Sequence, residues 1–159
     1  METLFLIVLA FPASFAAIWC FTVWLIARFG WATLASHHAH DGQKPNQRLS
    51  WQAGMVNSAR YKGMLEVGWD SQAFYLDTTL LFRPGHRPLR IPFSSIVSRR
   101  RTHERRMGPS EELVVRAGDA TVRVMLMEKT VASFAAQLPP FDSTGDGKPV
   151  ERGQTVAPR

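Results

Sequence analysis

The chain has one cysteine and only four lysines, and no basic residue precedes Arg28. Each shortage excludes something. A lone Cys20 permits no intramolecular disulfide, which agrees with a reducing compartment. A first stretch without lysine or arginine lacks the basic n-region of a secretory signal. Catalytic signatures are missing too: there is no phosphate-cradling glycine loop, no nucleophile elbow and no HExxH. Glu111 and Glu112 are adjacent, so on a strand their carboxylates would point to opposite faces rather than pair. Neither an enzyme nor a cofactor is expected.

What is present is unevenly distributed. From Thr3 to Ala27 the chain carries no charge, bounded by Glu2 and Arg28. A bilayer core of about 30 Å takes about 20 apolar residues in a helix, so a transmembrane helix is expected over 3–28. A cleavable signal peptide competes, because Ser14-Phe15-Ala16 offers a small-x-small pattern. The apolar run continues well past that point through Ile18, Trp19, Phe21, Val23, Trp24 and Leu25, which favours an anchor. Pro12 should kink the helix, and Trp19, Trp24 and Trp31 mark its C-terminal end as an interface. Only Glu2 lies ahead of the run, whereas Arg28, Lys44, Arg48, Arg60 and Lys62 follow it. Cationic flanks stay on the cytoplasmic side, so the expected location is the inner (plasma) membrane, single-pass, with the soluble domain in the cytoplasm.

Residues 29–50 mix Gly, Ala, Ser, His, Asn and Pro without a sustained period and read as a juxtamembrane linker. From Pro139 to Arg159 the composition is that of a disordered tail. Residues 51–138 are left for one small domain, with strands expected over Tyr61–Val67, Ala73–Asp77, Thr79–Phe82, Leu89–Phe93, Glu112–Arg116 and Thr121–Met127. Within FRPGHRPLRIPF (82–93), Pro84-Gly85 supplies turn chemistry and Pro92 marks an edge or strand end. Val131, Phe134, Ala135 and Leu138 recur at helical spacing, predicting an amphipathic helix capped by Thr130 and stopped by Pro139-Pro140. The fold class is therefore α+β: one N-terminal transmembrane helix, then a small antiparallel β domain closed by a C-terminal helix. Phe74, Leu76, Leu81, Ile91, Ile96, Val115, Val124, Leu126 and Phe134 are the expected core.

Two phrases carry a resemblance. Asp70-Ser71-Gln72-Ala73-Phe74-Tyr75-Leu76 and Leu89-Arg90-Ile91-Pro92-Phe93-Ser94-Ser95-Ile96 resemble matching strands of the short, bacterial, membrane-associated version of the pleckstrin-homology-like (PH-like) superfamily. Phe93 and Ser95 stand where that group has Trp and Asp. The resemblance implies a bent antiparallel sheet closed at one end by its last helix. It says little about function, since this fold hosts lipid binders, peptide binders and scaffolds alike.

The positive charge has a location. Residues 83 to 106 hold eight arginines against the single Glu104. Arg83, Arg87, Arg99, Arg100, Arg101, Arg105 and Arg106 are the candidate anion- or lipid-binding residues, on a basic rim that would meet anionic headgroups of the adjacent membrane. A solvated rim with no ligand is the competing reading. Nucleic acid is a weaker partner, because no recognition motif accompanies the arginines. Another membrane protein is the alternative partner: Ala10, Ala13, Ser14, Ala16 and Ala17 would let a second helix approach closely, making the chain an accessory subunit. His37-His38-Ala39-His40-Asp41 has metal-capable side chains, but consecutive residues do not converge on one ion unaided, and no metal is expected. His86, without a partner motif, reads as a turn residue.

Overall fold

The computed structural model describes residues 2–142, and side chains from Ala10 onward. The expected tail lies outside the described residues beyond Asp142.

The charge-free run forms one helix, α1 (Glu2–Ala27), continuous through Pro12. Its 26 residues extend about 39 Å at 1.5 Å each. It is long and apolar enough to cross a membrane. At its end Arg28 N donates to Leu25 O (3.1 Å) and Phe29 N to Ile26 O (3.1 Å), tightening the last turn. Gly30 then takes φ 127°, a conformation open to glycine, and a Cβ there would come within 2.8 Å of Asn57 Nδ2. This sharp elbow leads directly into α2 (Trp31–His38).

The expected linker over 29–50 is thus corrected. It holds α2 and the start of the first strand, β1 (Gln47–Val56). The physical reason is short: Trp31 and Leu34 sit one turn apart on one face of α2 and are both fully buried. Two anchors in eight residues are too few to show as a period among the surrounding histidines and alanines.

After β1 come β2 (Ala59–Trp69), β3 (Ala73–Thr78), β4 (Leu89–Pro92), β5 (Ile96–Glu104), β6 (Gly108–Ala117) and β7 (Ala120–Met127). They form one antiparallel sheet in the order β4-β3-β2-β1-β7-β6-β5. Apart from the β1–β7 pair, neighbours in the sheet are neighbours in sequence, joined by short turns except for the longer β3–β4 connection over 79–88. The β2–β3 turn is built by Asp70, whose Oδ1 accepts from Gln72 N (2.7 Å) and Ala73 N (2.8 Å). Pro92 ends β4 on a sheet edge, where the missing N–H leaves no ladder bond unmade.

The two halves of the sheet share one core. Val67, Phe74, Leu76 and Ile91 from one half and Leu113, Val115, Val122, Val124 and Leu126 from the other belong to the same buried cluster, with α2 contributing Trp31 and Leu34. Phe134 lies against Phe74 (5.7 Å), Trp69 (5.8 Å) and Phe93 (6.1 Å) between ring centroids. The C-terminal helix that carries it is shorter than expected. One α turn, α3 (Glu128–Val131), continues as a 3-10 segment over Ala132–Gln137, because Phe134 leaves helical geometry (φ −132°, ψ 18°) to reach the core. Thr130 is not its cap; it is buried and its hydroxyl donates to Gln52 Oε1 (2.7 Å).

One expected core residue is misplaced. The strand expected at Thr79–Phe82 is a 3-10 turn (Leu80–Phe82), and Leu81 is 64% exposed with Leu80 81% exposed. The turn leaves the sheet to rest against α1.

Candidate functional site

The seven candidate arginines do not form one rim. Arg99 is the clearest departure: it lies on β5 with its side chain turned inward, 8% exposed, and Nε and Nη2 donate to Glu111 Oε2 (2.6 Å) and Oε1 (3.2 Å). Its guanidinium also packs 4.0 Å from the Phe141 ring centroid. The register shift between Ile96 and Ser98 lets Ile96 and Arg99 both turn inward although they are three residues apart, and leaves Arg100 exposed.

Arg83 and Arg87 belong to a separate cluster near α2. Arg83 Nη2 reaches Asp77 Oδ2 (3.0 Å), to which Lys44 Nζ also comes within 2.8 Å. Arg87 Nη2 pairs with Asp41 Oδ2 (2.7 Å), both well exposed. Sequence reasoning missed Lys44 here. Burial works against its charge, but hydrogen bonds to Asp77 and Glu66 outweigh that and hold its pKa above the ordinary lysine value. The cleft lined by Asp41, Lys44, Glu66, Asp77 and Arg83, with His40, Arg48 and Tyr75, carries matched charges of both signs.

Arg100, Arg101, Arg105 and Arg106 remain as an exposed basic tip on β5 and the β5–β6 turn. Arg101 lies 4.5 Å from the Phe141 ring centroid and 3.9 Å from Glu128. Among the described residues Arg100, Arg105 and Arg106 make no ion pair. Glu104, next to Arg105, accepts from Arg60 Nη2 (2.7 Å). That pair ties the turn to the start of β2, which leaves the Asn57-Ser58 turn lying against the Gly30 elbow.

The histidine run separates. His37 Nδ1 lies 2.9 Å from Ser36 Oγ, His38 Nε2 lies 2.8 Å from Arg116 O, and His40 stacks edgewise on Tyr75. Among the described residues no group of three His, Cys, Asp or Glu converges as a metal site.

The joint between α1 and the domain is the most constructed region of the molecule; the sequence marks Trp19, Trp24 and Trp31 as interface residues and Gly85 and His86 as turn residues, but not that they meet. Val23 and Ala27 of α1 are buried. Trp19 Nε1 donates to Leu81 O (3.0 Å), and its ring lies 5.2 Å from that of Phe82. Gly85, at φ 77°, backs onto the helix so closely that a Cβ would lie 3.1 Å from both Ala27 Cβ and Trp24 Cδ1. Beneath the turn, His86 is buried among Trp31 and Tyr61, with ring centroids 5.0 and 5.5 Å away. Its Nδ1 faces the Pro84 carbonyl (3.2 Å) and so donates to it, leaving Nε2 to accept from the Tyr61 hydroxyl (2.9 Å).

Burial pushes the His86 pKa below the ordinary 6.5, against the pull of backbone hydrogen bonds at Pro84 and Phe82. With the folded value below the unfolded one, the unfolded chain binds the proton more readily. Stability therefore falls as pH drops from about 7 through the unfolded value, and levels off below the folded one. In thermal melts of the reconstituted chain, the loss of Tm between about pH 7 and pH 5 should be larger in the wild type than in His86→Gln. Equal losses would show that His86 does not contribute.

No family model matches this sequence, and a search of curated proteins returns no match.

Proposed function

We propose that the chain is a single-pass inner-membrane protein whose PH-like β domain, on the cytoplasmic side, is a binding or scaffolding module held at the bilayer, with its basic tip directed to anionic headgroups. The observation that carries this reading is the joint. An apolar helix long enough to cross a membrane runs through a three-residue elbow into α2, and residues of α1 and α2 are buried against the domain. A domain packed on its own anchor stays within one domain diameter of the lipid surface, so even weak headgroup contacts would be occupied. Each basic residue near an anionic leaflet contributes about 1 kcal/mol. The Arg60–Glu104 pair, by linking the arginine-bearing turn to the strand beside the elbow, supports placing that charge near the bilayer.

The test uses the full chain in nanodiscs of neutral or of mixed anionic lipid. An environment-sensitive probe is attached at Met107→Cys in a Cys20→Ala background. Its emission should differ between the two lipids, and salt or the substitutions R100A, R101A, R105A and R106A together should remove the difference. An emission indifferent to lipid charge would sink the headgroup role.

A further inference from the structure

We propose that the Leu80–Phe82 turn is a second membrane anchor, inserted among the acyl chains of the same leaflet through which α1 leaves the bilayer. The proposal rests on the reading of α1 as a membrane span and adds a site to it.

The depth follows from the helix. Counting about 20 residues from Thr3 for the hydrocarbon core brings its boundary to about residue 22. Trp19, three residues earlier and so about 4–5 Å inside that boundary, donates its indole N–H to Leu81 O at 3.0 Å. The turn is thereby held at a depth where α1 itself faces lipid. Its leucines are largely uncovered, 81% and 64% exposed, while Phe82 lies against the Trp19 ring. Between turn and helix runs an apolar groove lined by Phe15, Ala16, Trp19, Leu80, Leu81 and Pro84, continuous with the exposed apolar surface of α1. In water two leucines so exposed would be an unrelieved cost; in lipid they are matched to their solvent.

Part of the turn's backbone suits the same environment, where an unpaired polar group is costly. The Leu80 and Leu81 amides have no hydrogen-bond partner among the described residues, but the two amides that follow them are paired. Phe82 N donates to Thr79 O (2.8 Å), Arg83 N to Leu80 O (3.3 Å) and His86 N to Arg83 O (2.8 Å), while Pro84 has no N–H to satisfy. The first charge after the leucines, Arg83, turns back to Asp77 rather than into the groove. Acyl chains, which ask for no polar partner, are the occupant that suits these walls.

Three single-cysteine variants of the full chain in the Cys20→Ala background test this, each carrying a polarity-sensitive fluorophore in vesicles of mixed neutral and anionic phospholipid. Leu81→Cys reports the turn, Ala13→Cys the helix, and Ser71→Cys the exposed turn at the far end of β3. Expected are blue-shifted emission and loss of intensity with brominated lipid at Leu81 and Ala13, and neither at Ser71. Quenching at Ala13 with water-like emission at Leu81 would overturn the second anchor and leave the span intact. Water-like emission at both would overturn the span and the anchor together. A blue-shifted Leu81 probe untouched by brominated lipid would mean that protein, such as a second copy or a partner helix, fills the groove, and would also overturn it.

Discussion

Arg99→Met is expected to lower the stability of the domain by about 3–5 kcal/mol, because it leaves the Glu111 carboxylate buried, 3% exposed, without its bidentate partner. The loss is larger than removal of a surface charge would cause, since exposed ion pairs contribute about 0–1 kcal/mol. Denaturant midpoints of the reconstituted chain measure it. The double variant R99M/E111L should recover most of the loss, because two apolar side chains can fill the space without a stranded charge. Arg100→Ala, one residue away and exposed, should move the midpoint by no more than about 0.5 kcal/mol. If Arg99→Met were as mild as Arg100→Ala, the buried pair would not exist. Any headgroup experiment that removes Arg99 together with its neighbours would confuse unfolding with loss of binding.

Trp31→Ala is the second large expectation, at about 3–5 kcal/mol for a fully buried aromatic side chain. The indole packs on Tyr61 and His86, with centroids 5.6 and 5.0 Å away, and donates Nε1–H to the Arg87 carbonyl (2.8 Å). Its removal opens a cavity and strands that carbonyl at the point where α2 joins the sheet. A mild effect, below about 1 kcal/mol, would show that α2 lies loosely on the domain. For the same reason a fragment beginning at residue 50 should not fold: it lacks α2 and the three residues Gln47–Leu49 that pair with Val67–Trp69.

The parts of this architecture that announce themselves in sequence are those with a strong period or a strong composition. Thr3–Ala27 is free of charge, and Val122, Val124 and Leu126 alternate along β7, so helix and strand were both legible. The elements that hide have neither. β1 reads QRLSWQAGMV and buries only Gly54 and Val56, because a register shift around Trp51, at φ 60°, breaks its alternation. Leu81 looks like core by composition, yet its position is set by a contact with Trp19, 62 residues away, that no local pattern encodes. The candidate arginines divide for a related reason: a run of charges carries no mark of which member meets a buried carboxylate across the sheet. Arg99 finds Glu111, while Arg100, Arg105 and Arg106 stay exposed. The sequence indicated that a basic surface exists, and tertiary structure decided its membership.

The measurement that tests the account most directly is the distance distribution between spin labels on α1 and on the sheet, at Ala13→Cys and Thr121→Cys in the Cys20→Ala full chain, reconstituted in nanodiscs. A helix docked through Trp19, Val23, Ala27 and Gly85 predicts one narrow distribution. A broad distribution, as a flexible tether over 29–50 would give, would contradict the joint and with it the proposal that the domain is held against the membrane.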